Sequence, residues 1–189
     1  MRDENQIHYD AAGAYRKVSV PPVKPMGDYI PFEPLFPRFN DVVRKMARFI
    51  PYKLANEAYV DFEAMKADAA ANGGWFKVNI DHSAYTIFEQ PSVNWAFRAW
   101  HDSCHLAADA DFSEAGEREA MWRMVDQLID AYGSTPLTLF WVEVIYIEVM
   151  GQFYHLQEFG VFPEDQRQFM LDRLEQTGWD RNEAHYADF

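Results

Sequence analysis

Length, composition and charge indicate one globular, acidic domain. The 189 residues are 49% hydrophobic and 16% aromatic, and the formal net charge is −13; such a composition excludes a disordered chain. Non-specific nucleic-acid binding requires a basic surface, so this charge argues against it. Cys104 is the single cysteine, which excludes an internal disulfide and a thiolate-rich zinc site.

The sequence shows neither the apolar segment of a signal peptide near residue 1 nor an uninterrupted apolar run. The first ten residues are polar, and the longest apolar run is interrupted by Glu143, Glu148 and His155. The sequence therefore predicts neither a signal peptide nor a membrane span. We expect a cytoplasmic protein, located in the host cytoplasm if the chain is viral.

Residues 1–39 are predicted to form an extended arm. Six prolines lie between Pro21 and Pro37, interleaved with aromatic residues, and proline fixes φ and removes a backbone donor. The arm could wrap its own domain or reach a neighbouring subunit of a homo-oligomer.

Residues 40–189 are predicted to form a single all-α domain of five or six helices that carries a metal site. Asn40 is the expected cap of the first helix and Pro51 its end. Residues 75–89 are expected to be a loop, with a short strand as the alternative. The helices are predicted at about 40–50, 53–71, 91–110, 114–132, 136–159 and 163–176.

The third of these helices carries a narrow polar stripe. At about 100° per residue, six polar side chains fit within an arc of roughly 100°. They are Asn94, Arg98, His101, Asp102, His105 and Asp109. This stripe lacks the lysines and glutamates of an ordinary solvent face, so it is expected to line a site.

Two later helices offer further polar groups. Glu148, Gln152 and His155 follow at i, i+4 and i+7 in an otherwise apolar helix, where a buried carboxylate needs a cationic partner. Glu117 continues the apolar face of the fourth helix, so it either emerges into solvent or points into the site.

Together these residues predict a metal centre. The expected ligands are His101, His105, Glu117, Glu148 and His155. Imidazole and carboxylate ligands favour non-haem iron, with manganese or zinc as alternatives. Asp102 and Asp109 would either orient the histidines or act as extra ligands, and the candidate catalytic residues are Asp102, Gln152 and Arg98. The alternatives are a metal-free polar network inside the domain and a stripe that faces water.

Several family resemblances accompany these residues. The His and Glu pattern resembles helical di-iron carboxylate proteins, both ferritin-like and haem-oxygenase-like, although Glu148 and His155 are seven residues apart rather than in a Glu-x-x-His motif. Membership would imply oxygen activation on a small-molecule substrate.

The doublet His101-Asp102 is similar to that of HD-type phosphohydrolases, which would imply hydrolysis of a nucleotide or another phosphate ester at a Mg or Mn ion. His82 and either Asp126 or Asp130 would then complete the ligands.

The segment His101-Asp102-x-x-His105 is also similar to the zincin motif, which would make Asp102 the general base and Glu148 the third ligand. The segments FRAWHDSCH and GQFYH resemble small uncharacterised bacteriophage proteins. A non-enzymatic phage accessory or interaction protein is therefore the third functional alternative.

Overall fold

The computed structural model describes residues 33–83 and 85–187, with the backbone of two short antiparallel strands, β1 (His8–Tyr9) and β2 (Tyr15–Arg16). Apart from these two strands, residues 1–32 of the predicted arm lie outside the described residues. Its course and its role in an oligomer stay predictions.

The all-α architecture is confirmed in the described part of the chain. The helices are α1 (Pro37–Met46), α2 (Phe62–Ala71), α3 (Pro91–Ala108), α4 (Glu114–Tyr132), α5 (Pro136–Tyr146), α6 (Gln152–Phe159) and α7 (Gln166–Thr177). A π-helical segment, Ile147–Gly151, joins α5 to α6, and a 3-10 turn, Glu183–Tyr186, follows α7.

The first helix begins three residues earlier than predicted. Pro37 occupies its first turn, and the N–H groups of Arg38 and Phe39 both donate to the distant Glu183 carboxylate at 2.9 Å. Asn40 is not the cap: it is buried and its side chain donates to the Phe36 carbonyl. The predicted boundary between residues 39 and 40 therefore falls inside α1.

The helix predicted over residues 53–71 was wrong in its first half. Residues Tyr52–Ala55 form β3, which pairs in parallel with β4 (Phe76–Asn79), and α2 starts only after Asp61 accepts a hydrogen bond from the Ala64 N–H. Residues 52–55 pair with residues 76–79 instead of forming helical hydrogen bonds, and the next helix begins at Phe62. The strand at residues 76–79 is the alternative that the sequence left open.

The central helix of the domain runs from Pro136 to Phe159 and consists of α5, the π segment and α6. Its length and composition would also suit a membrane-crossing helix, but 61% of its most apolar window is buried inside the domain, as in the core helix of a globular protein. Thr135 caps α5, because its side chain accepts a hydrogen bond from the Thr138 N–H. The last helix starts at Gln166 rather than at Pro163, because Asp165 supplies its cap.

One main hydrophobic core fills the space between α1, α3, α4 and the central helix. Its largest fully buried side chains include Phe36, Phe39, Trp100, Phe140 and Met124. A smaller cluster under α2 and β4 packs against the other side of α3. Since α3 is covered on both sides, its polar stripe is largely enclosed, except for the exposed Asp109 at the end of the helix.

Candidate metal centre

Two adjacent helices bring three ligand-type side chains together. His101 and His105 are one turn apart on α3, and Glu117 lies in the first turn of α4, which Ser113 caps. One ligand atom from each of the three lies within 4.8 Å of the other two. This convergence joins two residues of the predicted stripe with Glu117, for which the sequence left open whether it emerges into solvent or points into the site.

The ligand atoms are spaced as a bound ion requires. Glu117 Oε2 lies 3.3 Å from His101 Nε2 and 3.5 Å from His105 Nε2. Ligands at about 2.1 Å from one ion, at a tetrahedral angle, are separated by about 3.4 Å. Neither Nε2 atom has a hydrogen-bond partner in the described chain, although both are buried. The three atoms thus enclose a position suited to a cation.

The orientation of His105 favours metal binding. Its Nδ1 lies 3.0 Å from the Ala110 carbonyl oxygen, which can only accept, so Nδ1 carries the proton. In a neutral ring the Nε2 lone pair then faces Glu117. Two lone pairs pointing at each other repel unless a cation lies between them, and a backbone carbonyl is a usual support for a metal-binding histidine.

The turn after α3 supplies that carbonyl. Asp109 adopts a left-handed conformation with φ of 53°, and the Ala110 N–H returns to the His105 carbonyl at 3.1 Å. The Asp109 carboxylate is exposed and pairs with Lys66, so it does not orient a histidine as predicted. Asp109 instead contributes through its backbone conformation.

Asp102 lies next to the other histidine, His101. Its Oδ1 lies 3.8 Å from His101 Nδ1, on the ring edge opposite the nitrogen that faces Glu117. Burial raises the pKa of Asp102 to about 6, although His101 and His105 oppose this shift. At 3.8 Å the pair of Asp102 and His101 is an electrostatic contact rather than a hydrogen bond, and Asp102 is not among the converging ligand atoms.

Charge in the cluster is strongly coupled. Burial would raise the pKa of Glu117, but the two imidazoles outweigh it and hold that pKa at about 2. Burial would likewise lower the pKa of His101, yet Glu117 and then Asp102 raise it above its ordinary value. The carboxylate is thus ionised at neutral pH and attracts a positive charge, either a proton or a metal ion.

Glu148 belongs to a second polar group. It is buried in the π segment, where Gln152 donates to its Oε2 at 3.0 Å, while Oε1 has no hydrogen-bond partner within the described residues. Burial raises the pKa of Glu148 to about 8, offset only in part by Arg98 and Gln152. Glu148, which the sequence predicted as a metal ligand, is therefore not among the converging ligand atoms. Because π turns in helices are frequent at functional sites, its buried carboxyl group is a separate candidate proton donor or acceptor.

His155 is not brought to the metal cluster. Its ring packs against Phe159 and Phe169, with centroids 4.6 and 5.4 Å apart. The predicted register with Glu148 assumed 3.6 residues per turn, and the wider π turn between them changes it. His82 is also elsewhere: it lines a separate cleft of about 550 Å³ with Phe162.

Comparisons of the chain with protein-family models, curated proteins and solved structures find no match. The geometry of the site is therefore the basis for assigning a function. The sequence did not indicate the Ala110 carbonyl as a partner of His105, since every residue type carries a backbone acceptor.

Proposed function

We propose that this chain binds one divalent metal ion through His101, His105 and Glu117 and is a metal-dependent enzyme. The observation that supports this most is the convergence of two unpartnered, buried imidazole nitrogens on one carboxylate oxygen. Within the described residues, these three form the candidate ligand group, so we propose a single ion rather than a di-iron pair.

Two histidines and one carboxylate leave coordination positions open for water or substrate. This ligand set is typical of non-haem iron(II) enzymes, and we propose an oxygen-activating oxidoreductase acting on a small molecule. Bound iron would supply the oxygen chemistry. The chain's own contribution is to hold the ligands: the Ala110 carbonyl fixes the His105 tautomer, and the Asp102 carboxylate lies 3.8 Å from His101 Nδ1, where it favours a positive charge on that ring.

A phosphohydrolase of the HD type is the alternative. It would use Asp102 as a ligand, whereas Asp102 approaches His101 at Nδ1 and is not in the group of converging ligand atoms. This placement favours the iron proposal. Phosphate-ester hydrolysis with manganese remains the activity assay that separates the two.

The test is metal analysis of the purified protein after anaerobic incubation with iron(II), manganese or zinc. We expect near-stoichiometric metal in the wild type and its loss in His101→Ala and Glu117→Gln. Iron should give near-ultraviolet absorption that a chelator removes.

Glu119→Gln is the matched control, because Glu119 is an exposed glutamate on the same helix. It should keep its metal. A wild type that stays metal-free after reconstitution would overturn the proposal and favour a structural polar network in an interaction protein.

A further inference from the structure

A small cavity reaches from the surface to the back of the metal cluster. It has a volume of about 190 Å³ and lies between α2, β4 and α3. Its wall includes Arg98 and Asp102 from α3, Lys77 from β4, and the apolar side chains of Met65 and Phe112. This volume equals about six water molecules at their share of the liquid, so it suits a small organic molecule.

Arg98 presents free donors to this cavity. Its Nη1 donates to the Asn79 carbonyl at 2.8 Å, and no other hydrogen bond of this side chain is found among the described residues. None of its nitrogens is both inaccessible and unpartnered. The remaining N–H groups are therefore accessible, and the bond to Asn79 holds the guanidinium in place on the cavity wall.

The charges around the cavity favour one negative group. Lys77 adds a second cation, with its Nζ 5.6 Å from the centroid of the Tyr59 ring. Asp102 is the acidic residue of the wall, and a doubly charged phosphate would meet more repulsion from it than a singly charged carboxylate. A guanidinium binds a carboxylate through two parallel N–H bonds, and the partly exposed Phe112 ring offers an apolar surface to the rest of the molecule.

Two residues that line the cavity, Asp102 and Phe112, also contact histidines of the metal cluster. Asp102 lies 3.8 Å from His101, and the Phe112 ring packs edge-on against His105 with centroids 5.2 Å apart. A molecule in the cavity would therefore lie directly beside the cluster.

We propose that this cavity binds a small organic carboxylate, with Arg98 as its anchor and Lys77 as a second cation at the rim. Its role as the substrate or co-substrate of the metal site rests on the proposed function. The binding itself does not, because Arg98 and Lys77 are not in the ligand group.

Calorimetric titration with propionate, and separately with inorganic phosphate, tests the proposal on the full-length protein. Both the zinc-loaded and the metal-free forms should be used. We expect propionate to bind in the millimolar range or tighter, Arg98→Gln to weaken it at least tenfold, and Arg98→Lys and Lys77→Gln to weaken it less. Phosphate should bind more weakly than propionate.

Arg48→Gln serves as the matched control, because Arg48 is exposed and stacks on Phe49 away from the cavity. Metal content and thermal unfolding of each variant separate a lost anchor from a lost fold. Should Arg98→Gln not fold, Arg98→Lys and Lys77→Gln decide the matter.

Three results would overturn the proposal: no propionate binding, binding that none of the cavity variants weakens, or binding of phosphate alone. If the wild-type protein binds no metal but binds propionate in a way that depends on Arg98, the proposed function is refuted. The assignment of the cavity as a carboxylate site would then still hold.

Discussion

His105 and Ala110 form a reciprocal pair at the end of α3. The ring Nδ1 donates to the Ala110 carbonyl at 3.0 Å, and the Ala110 N–H donates to the His105 carbonyl at 3.1 Å. The turn that ends the helix thus also fixes the proton position on a fully buried imidazole.

This pair predicts the tautomer of His105. In the zinc-loaded protein, Nδ1 should carry the proton and Nε2 should bind the ion. Nitrogen-15 NMR of the imidazole, with zinc as a diamagnetic ion, measures this directly. A protonated Nε2 would contradict the assignment of His105 as a ligand.

Glu148 should make stability depend on pH. Its pKa is raised from 4.5 to about 8 by burial, so the folded state holds a proton that the unfolded state releases. Its contribution to stability is complete below about pH 4.5 and is lost as pH rises to about 8. We expect Glu148→Gln to gain on the wild type by up to about 1.4 kcal/mol per pH unit across this window.

Urea unfolding at several pH values checks this prediction. The difference between the two proteins should be small at pH 4.5 and largest above pH 8. A difference that does not change with pH would mean that Glu148 is ionised in the folded protein.

Gly116 allows α4 to begin close to the preceding turn. A Cβ at this position would overlap the backbone carbonyl of Asp111. Gly116→Ala should therefore shift the start of α4, displace the adjacent Glu117 and weaken zinc binding by tenfold or more. Ala115→Ser, an exposed change in the same turn, should not; equal zinc affinity in both variants would contradict the prediction.

Glu183 ties the C-terminal turn to α1. This buried carboxylate accepts from the Arg38 and Phe39 N–H groups at 2.9 Å and from Trp141 Nε1 at 2.7 Å. Glu183→Ala leaves three donors unpaired and should lower the free energy of unfolding by roughly 3 kcal/mol or more. Denaturant unfolding measures it, with exposed Glu158→Ala as the control. Similar losses in both variants would contradict the capping role.

The sequence predicted the parts of the site that depend on regular helix geometry. His101 and His105 lie four residues apart, and the extrapolated face of α4 indicated Glu117. The helical period was enough to place the two histidines on one face, but it left open whether Glu117 faces solvent or the site.

The parts that the sequence could not predict depend on irregular backbone or distant contacts. The π segment changed the register of His155, and the parallel pairing of β3 with β4 replaced half of a predicted helix. The cap of α1 comes from Glu183, 144 residues away from Phe39. Such features follow from tertiary packing, which overrides local preference.

The most direct test of the metal site compares His105→Ala with His155→Ala. Both changes remove one imidazole, but the structure places only His105 at the cluster. Zinc stoichiometry after reconstitution should fall to near zero in His105→Ala and stay near one ion per chain in His155→Ala. Equal metal content in the two variants, whether both bind zinc or neither does, would contradict the site described here.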